Sequence, residues 1–235
     1  MTTQELPFEI LRFFPTTGEE KKGSAIIVLQ EWWGINDQIK KHTQFISDKT
    51  QIICVAPDLY KGKIGLNEEE ASHLMNNLNW KESLKELEKL ANFLRNEGRE
   101  KIGVIGFCMG GAISLALGAK LLPTNPLSAV ITCYGIPQKS LIDISKLATK
   151  TPVQGHFANN DIYKGFSDPP TVDTFEHEIK ESVKGYDTAH EIQIYRYENQ
   201  GHAFLNDDKL ALQERKEAQD LAWKRISEFF KKYLG

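Results

Sequence analysis

Lys101-Ile-Gly-Val-Ile-Gly-Phe-Cys-Met-Gly-Gly-Ala-Ile-Ser-Leu-Ala-Leu, residues 101–117, is the stretch from which the rest of the chain is read. An apolar run stops at Gly106, Cys108 follows between Gly106 and Gly110, and a segment of small and apolar residues continues with helical spacing. The pattern predicts strand, tight turn and helix with Cys108 at the apex, a G-x-nucleophile-x-G turn in which cysteine replaces the commoner serine. The flanking glycines let strand and helix backbones pass closely around a residue held in strained φ/ψ space. The helix N-terminus aims free N–H groups at the sulfur and favours a thiolate. A second reading is an ordinary βα turn with a small buried residue. A phosphate-binding loop fits less well, because no P-loop lysine follows.

Working outward, apolar runs alternate with helical patterns. Phe8-Glu-Ile-Leu-Arg-Phe-Phe reads as a leading strand, and Ala25-Ile-Ile-Val-Leu and Ile52-Ile-Cys-Val-Ala as strands buried on both faces. A weakly amphipathic helix is predicted from Asn36 to about Thr50, and Asn67 caps an acidic first turn. Trp80, Leu84, Leu87, Leu90 and Leu94 recur at helical spacing up to Gly98. After the elbow, Ala129-Val-Ile-Thr-Cys-Tyr, Thr151-Pro-Val-Gln-Gly-His-Phe and Glu191-Ile-Gln-Ile-Tyr-Arg-Tyr are strands. Helices are expected over residues 171–184 and over a closing stretch marked by Ala211, Ala218, Leu221, Ile226 and Phe229. Strands alternating with helices imply βαβ units, hence a mostly parallel sheet with helices on both faces. No repeat or linker interrupts residues 1–235, so one domain is expected.

Composition narrows the function classes. Charged residues make up 26% and hydrophobic ones 40%, ordinary for a globular chain, and the net charge of −3 offers no basic face for nucleic acid or an anionic membrane. No apolar run approaches the roughly 18 residues of a membrane span, and Met1-Thr-Thr-Gln-Glu-Leu-Pro lacks the basic and apolar regions of a signal peptide. The three cysteines, Cys54, Cys108 and Cys133, are odd in number and far apart, which suits a reducing compartment such as the cytoplasm. No cofactor or metal motif is found, and the expected partner is a small molecule met by a monomer or small homo-oligomer.

In open α/β sheets, ligands bind at the carboxyl ends of the strands. Glu31, Cys108, Asp161 and His202 each sit just after an apolar strand. Nucleophile, acid and histidine then occur in the chain order of the α/β-hydrolase arrangement. Cys108 is read as nucleophile, His202 as the base that exchanges its proton, and Asp161 as the group that fixes the imidazole tautomer. The N–H of Met109 and that of Trp32 are the expected oxyanion donors. Asp168 and Asp173 compete with Asp161, though neither follows a strand. His156 is read as a packing residue near Asp161, and the other histidines as helix or surface residues. Asp58 is read as capping the turn after Pro57, and Cys54 and Cys133 as small buried hydrophobes. Trp32 and Trp33 fit either a core or a pocket wall. Glu31, beside two tryptophans, is either a partly desolvated carboxylate with a raised pKa or a loop carboxylate bonded to backbone.

These pieces together resemble the dienelactone hydrolases (carboxymethylenebutenolidases), a family with the α/β-hydrolase fold. The matching stretches are Gln30-Glu-Trp-Trp-Gly-Ile-Asn, Ala56-Pro-Asp-Leu-Tyr, Gly103-Val-Ile-Gly-Phe-Cys-Met-Gly-Gly, His156-Phe-Ala-Asn-Asn-Asp and Gly201-His-Ala-Phe. The resemblance implies hydrolysis of a small ester or lactone through a cysteine acyl-enzyme, without a cofactor. It also implies that Glu31 holds the resting thiol and helps to activate it. The family's dienelactone-specific members bind the substrate carboxylate with two arginines. Here the corresponding stretches read Leu205-Asn206-Asp207-Asp208 and Glu68-Glu69-Glu70-Ala71. Without guanidinium groups an altered substrate is expected, a neutral or differently charged ester with Trp32, Trp33, Tyr60, Tyr134, Phe157 and Phe204 as aromatic walls. Lys61, Lys63 or Lys164 could replace the clamp. Two alternatives stay open: a thioesterase or peptidase on the same triad, and a non-catalytic relative that only binds a ligand.

Overall fold

The computed structural model describes residues 6–186, 190–207 and 213–235. Among the described residues seven strands form one sheet in the order β1-β3-β2-β4-β5-β6-β7. They are β1 (Ile10–Phe13), β2 (Ser24–Leu29), β3 (Ile53–Pro57), β4 (Lys101–Phe107), β5 (Ala129–Cys133), β6 (Val153–Ala158) and β7 (Ile192–Tyr197). Only the edge strand β1 is antiparallel, against β3; every other pairing is parallel. The α-helices among the described residues are α1 (Asp37–Thr50), α2 (Glu68–Asn77), α3 (Trp80–Asn96), α4 (Met109–Leu121), α5 (Pro169–Ser182) and α6 (Gln213–Leu234). Ala211, expected within the closing helix, lies outside the described residues.

Strand periodicity divides the core in two. Ala25, Ile27 and Leu29 of β2 join Val104 and the apolar faces of α3, α4 and α5 on one side. Ile26 and Val28 join Ile105, Phe107 and the buried residues of α1 and α6 on the other. Helix α4 is buried on nearly every side, which explains why its sequence is apolar all round rather than amphipathic. Among the described residues no helix is long and apolar enough to cross a membrane.

Helices α2 and α3 are separated where Asn79 turns out of the helix and its side chain accepts from Glu82 N at 3.1 Å. Helix α1 matches its expected limits, with Asn36 as N-cap accepting from Ile39 N. Its His42 is a helix residue, as expected, and is buried at 5% exposure. The imidazole packs between Phe107 and Trp223, with ring centroids 4.8 Å away in each case.

The order of the sheet places the C-terminal ends of β2, β4, β5, β6 and β7 side by side. The segments carrying Glu31, Cys108, Tyr134, Asp161 and His202 leave from those ends.

Candidate active site

Cys108 joins β4 to α4 with φ 52° and ψ −117°, a conformation that L-residues rarely adopt. The turn closes because neighbouring backbones come very near. A Cβ on Gly106 would lie 1.9 Å from the Gly110 carbonyl oxygen, and one on Gly135 would lie 2.1 Å from that of Cys108. The Cys108 N–H donates to Cys133 O at 3.0 Å, so β5 also braces the turn. Cys54 and Cys133 are fully buried free thiols, whereas Cys108 is partly exposed. Burial pushes the Cys108 thiol well above its ordinary range, the Glu31 and Asp161 charges add to that, and the Met109 N–H works against them. Burial thus favours the neutral thiol, and a nucleophile there needs a base.

His202 follows the turn after β7, and its Nδ1–H donates to Asp161 Oδ2 at 2.7 Å. That bond leaves Nε2 free to take a proton. The Asp161 carboxylate is fully buried as a side chain, while the imidazole keeps 15% of its exposure. Burial alone would raise the Asp161 pKa. The bond and charge of His202, the Tyr163 N–H and the Ser167 hydroxyl outweigh it and hold the carboxyl below its usual range. Ser167 Oγ also lies 3.3 Å from His202 Nδ1. The rings of Tyr163 and Tyr134 meet the imidazole edge-on, at 4.4 and 5.2 Å between centroids. Among the described residues no hydrogen bond joins Cys108 Sγ to His202, as is common before substrate arrives.

The competing acids are occupied elsewhere. Asp168 accepts from the Gly165 N–H and the Thr171 hydroxyl, and Asp173 pairs with Arg196. His156 is buried, with its nitrogens 2.8 Å from Tyr197 Oη and Gln154 Oε1. Asp58 caps its turn through Tyr60 N and Gly62 N.

Glu31 is 2% exposed and is bonded by side chains, not by backbone. Tyr134 Oη donates to its Oε1 at 3.3 Å and Asn206 Nδ2 to its Oε2 at 2.9 Å. Burial raises its pKa against the pull of Asn206, His202 and Tyr134. No hydrogen bond joins it to Cys108 among the described residues, so it is held beside the sulfur rather than on it. Asn206 carries no charge to mark it in the sequence. It stands in the turn after β7, and His42 Nε2 lies 3.3 Å from its Oδ1.

Trp32 and Trp33 are half-buried and packed edge-to-face at 5.0 Å, and the Tyr60 hydroxyl donates to Met109 Sδ at 3.3 Å. Neither the Trp32 nor the Met109 N–H has a backbone acceptor among the described residues. Two expected aromatic walls lie elsewhere. Phe157 is fully buried on the α5 side of the sheet against Phe175, and Phe204 is buried against Tyr197 and Tyr134. Both are core residues with no face toward a ligand. Tyr134 is likewise buried, but its hydroxyl reaches Glu31. Lys61, Lys63 and Lys164 are exposed. Among the described residues no cluster of three or more His, Cys, Asp or Glu side chains could hold a metal ion.

A family profile described as the dienelactone hydrolase family matches residues 12–234. A Synechocystis sp. protein, named a candidate carboxymethylenebutenolidase, is 30% identical over 224 residues, covering 89% of this chain and 86% of its own. A protein of Aquifex aeolicus with the same name is 27% identical over 228 residues, covering 90% and 89%. The crystal structure of a candidate dienelactone hydrolase from Klebsiella pneumoniae subsp. pneumoniae superposes with a TM-score of 0.74 at 20% identity, covering 96% of this chain and all of that one. At that identity the structural likeness concerns the fold.

Proposed function

The chain belongs to the dienelactone hydrolase family, whose members are carboxylic ester hydrolases, and on that premise we propose that it cleaves a small ester or lactone through a thioester on Cys108. The observation that carries the proposal is the 2.7 Å bond between His202 Nδ1 and Asp161 Oδ2, at the strand ends that also carry the strained Cys108 turn.

His202 Nε2 takes the thiol proton as Sγ attacks the carbonyl carbon, and Asp161 stabilises the imidazolium. The N–H groups of Met109 and Trp32 receive the oxyanion. Collapse of the tetrahedral species expels the alcohol oxygen, which takes the proton from Nε2. A water molecule, deprotonated by the same nitrogen, then attacks the thioester, and the acid leaves as Sγ regains its proton. Glu31 acts on the sulfur through its charge. While it is ionised and close, it keeps the thiol protonated and unreactive. Neutralising or displacing it as substrate enters would lower the thiol pKa, a form of activation by substrate.

The missing guanidinium groups favour a substrate without a carboxylate. A reactive thiol must stay reduced, which suits a reducing compartment such as the cytoplasm. The test is turnover of p-nitrophenyl acetate with labelling by iodoacetamide. Loss of turnover in Cys108→Ala, with one label per chain on Cys108, is expected. An active alanine variant, or a label on Cys54, overturns the proposal.

A further inference from the structure

Tyr163 and Phe166 belong to one turn, closed by Phe166 N donating to Tyr163 O at 3.2 Å, and both rings contact the His202 imidazole. Tyr163 feels the charge of Glu68 in the first turn of α2. Phe166 forms a wall of a cavity of about 450 Å³ whose other walls include Met75 from the end of α2, Trp80, Ile136, Pro137 and Leu141. The Ile136 N–H donates to Phe166 O at 3.0 Å, tying two of these walls together. Phe166 is thus shared: its ring lies 6.3 Å from the His202 imidazole between centroids and also walls the cavity, which extends to the end of α2 at Met75. Its volume lies within the range of about 300–1,000 Å³ usual for small-molecule pockets. Its surface is mainly hydrocarbon, and the one charged residue in its lining, Lys81, is solvent-exposed.

We propose that this cavity is the subsite for the alcohol arm of the ester, and that it takes an uncharged, apolar arm. The inference rests on the ester-hydrolase reading, because the side on which the alcohol leaves follows from the chemistry. The departing oxygen takes its proton from His202 Nε2, so the arm attached to it lies on the imidazole side, next to the Phe166 wall of the cavity. The carbonyl oxygen lies on the other side, toward Met109 and Trp32. An apolar arm of several carbons gains by leaving water for these walls. A terminal carboxylate would lose its hydration there without a buried cation to receive it.

The test compares kcat/KM for acetate esters of methanol, butanol and hexanol in the wild type, Leu141→Asp and Met75→Gln. Far-ultraviolet circular dichroism and melting temperature show whether each variant is folded. A rise of at least about tenfold from the methyl to the hexyl ester is expected, well under the roughly fourfold per methylene of complete transfer from water. The hexyl-to-methyl ratio should collapse in whichever variants fold. A flat series, or a ratio unchanged in a folded variant, overturns the proposal. So does an arm ending in carboxylate that is preferred over hexyl and loses that preference in Lys81→Ala. Binding of 1-hexanol, followed by the NMR shift of the Trp80 indole, separates the two levels. Binding without turnover of any ester removes the hydrolase reading and keeps the cavity, whereas turnover without binding removes the cavity alone.

Discussion

Asn206 Nδ2 donates to Glu31 Oε2 at 2.9 Å, across 175 positions of sequence. A buried carboxyl is thereby met by an uncharged amide. Asn206 Oδ1 lies 3.3 Å from His42 Nε2, which Gln38 Nε2 also approaches at 3.4 Å. Two residues far apart in sequence thus meet at the carboxyl beside the Cys108 turn.

Replacing Asn206 tests this contact. Asn206→Ala removes the bond that most favours ionised Glu31, so the carboxyl is neutral over more of the pH range, the thiol pKa falls, and kcat/KM is expected to rise by up to about tenfold, the scale of one hydrogen bond to a charged group. Asn206→Asp sets carboxylate against carboxylate and should lose activity at neutral pH, with part of the loss recovered in mild acid as one carboxyl takes up a proton. A pH profile of kcat/KM for p-nitrophenyl acetate reads both. A profile of Asn206→Asp that matches the wild type would remove Glu31 from the account.

The Asp161 carboxylate is expected to act through the tautomer of His202. In Asp161→Asn the amide can donate to Nδ1, which moves the ring proton to Nε2 and blocks proton uptake from the thiol. A fall in kcat of about 10³–10⁴-fold, with the fold intact by circular dichroism, is expected. A fall of only a fewfold would mean that orientation by Asp161 is dispensable.

Acid should destabilise the fold before the ordinary carboxylates titrate. Burial pushes His42 down to about 4 and His156 down to about 3. Both are neutral in the native state near pH 5, whereas in the unfolded chain they gain protons below about pH 6.5. The unfolded state then binds more protons, so stability is full above that value and falls as the pH drops through the window toward 4. With both unfolded imidazoles charged, the slope approaches about 2.7 kcal/mol per pH unit. Glu31, whose pKa is raised, contributes in the opposite sense, but it is common to wild type and variant. Urea unfolding between pH 7 and 5 should give His156→Gln about half the wild-type slope, and an equal slope would refute the assignment.

The turn at Cys108 depends on bare backbone contact. Gly106→Ala puts a Cβ 1.9 Å from the Gly110 carbonyl oxygen, and no side chain can move to relieve it. A stability loss above about 3 kcal/mol, or failure to fold, is expected. Gly201→Ala, with nothing within 4 Å of the added carbon, should change stability by less than about 0.5 kcal/mol. Denaturation midpoints of the two variants should differ accordingly.

The sequence makes legible whatever depends on local pattern. Apolar runs ending in Glu31, Cys108, Asp161 and His202 yield a parallel sheet and the edge at which those residues meet. Contacts across the sheet are not legible in that way. Strand β6 is buried on both faces, so alternation does not tell which side Phe157 faces, and its ring enters the core beside α5. His42 lies in a helix of weak amphipathicity and is buried only because Phe107 and Trp223 enclose it. Asn206 carries no charge to mark it. Its role exists only because the turn after β7 returns to the end of β2. The break between α2 and α3 was readable in principle, since Asn79-Trp-Lys-Glu repeats the capping pattern of Asn67-Glu-Glu-Glu.

The central claim is that Cys108 carries the acyl group. Acid quenching during turnover of p-nitrophenyl acetate, followed by intact mass and peptide mapping, tests it most directly. One acetyl group per chain is predicted, on the peptide containing Cys108 and absent from Cys108→Ala. Turnover with no acetylated protein, or with the acetyl group on Cys54 or Cys133, would contradict the account.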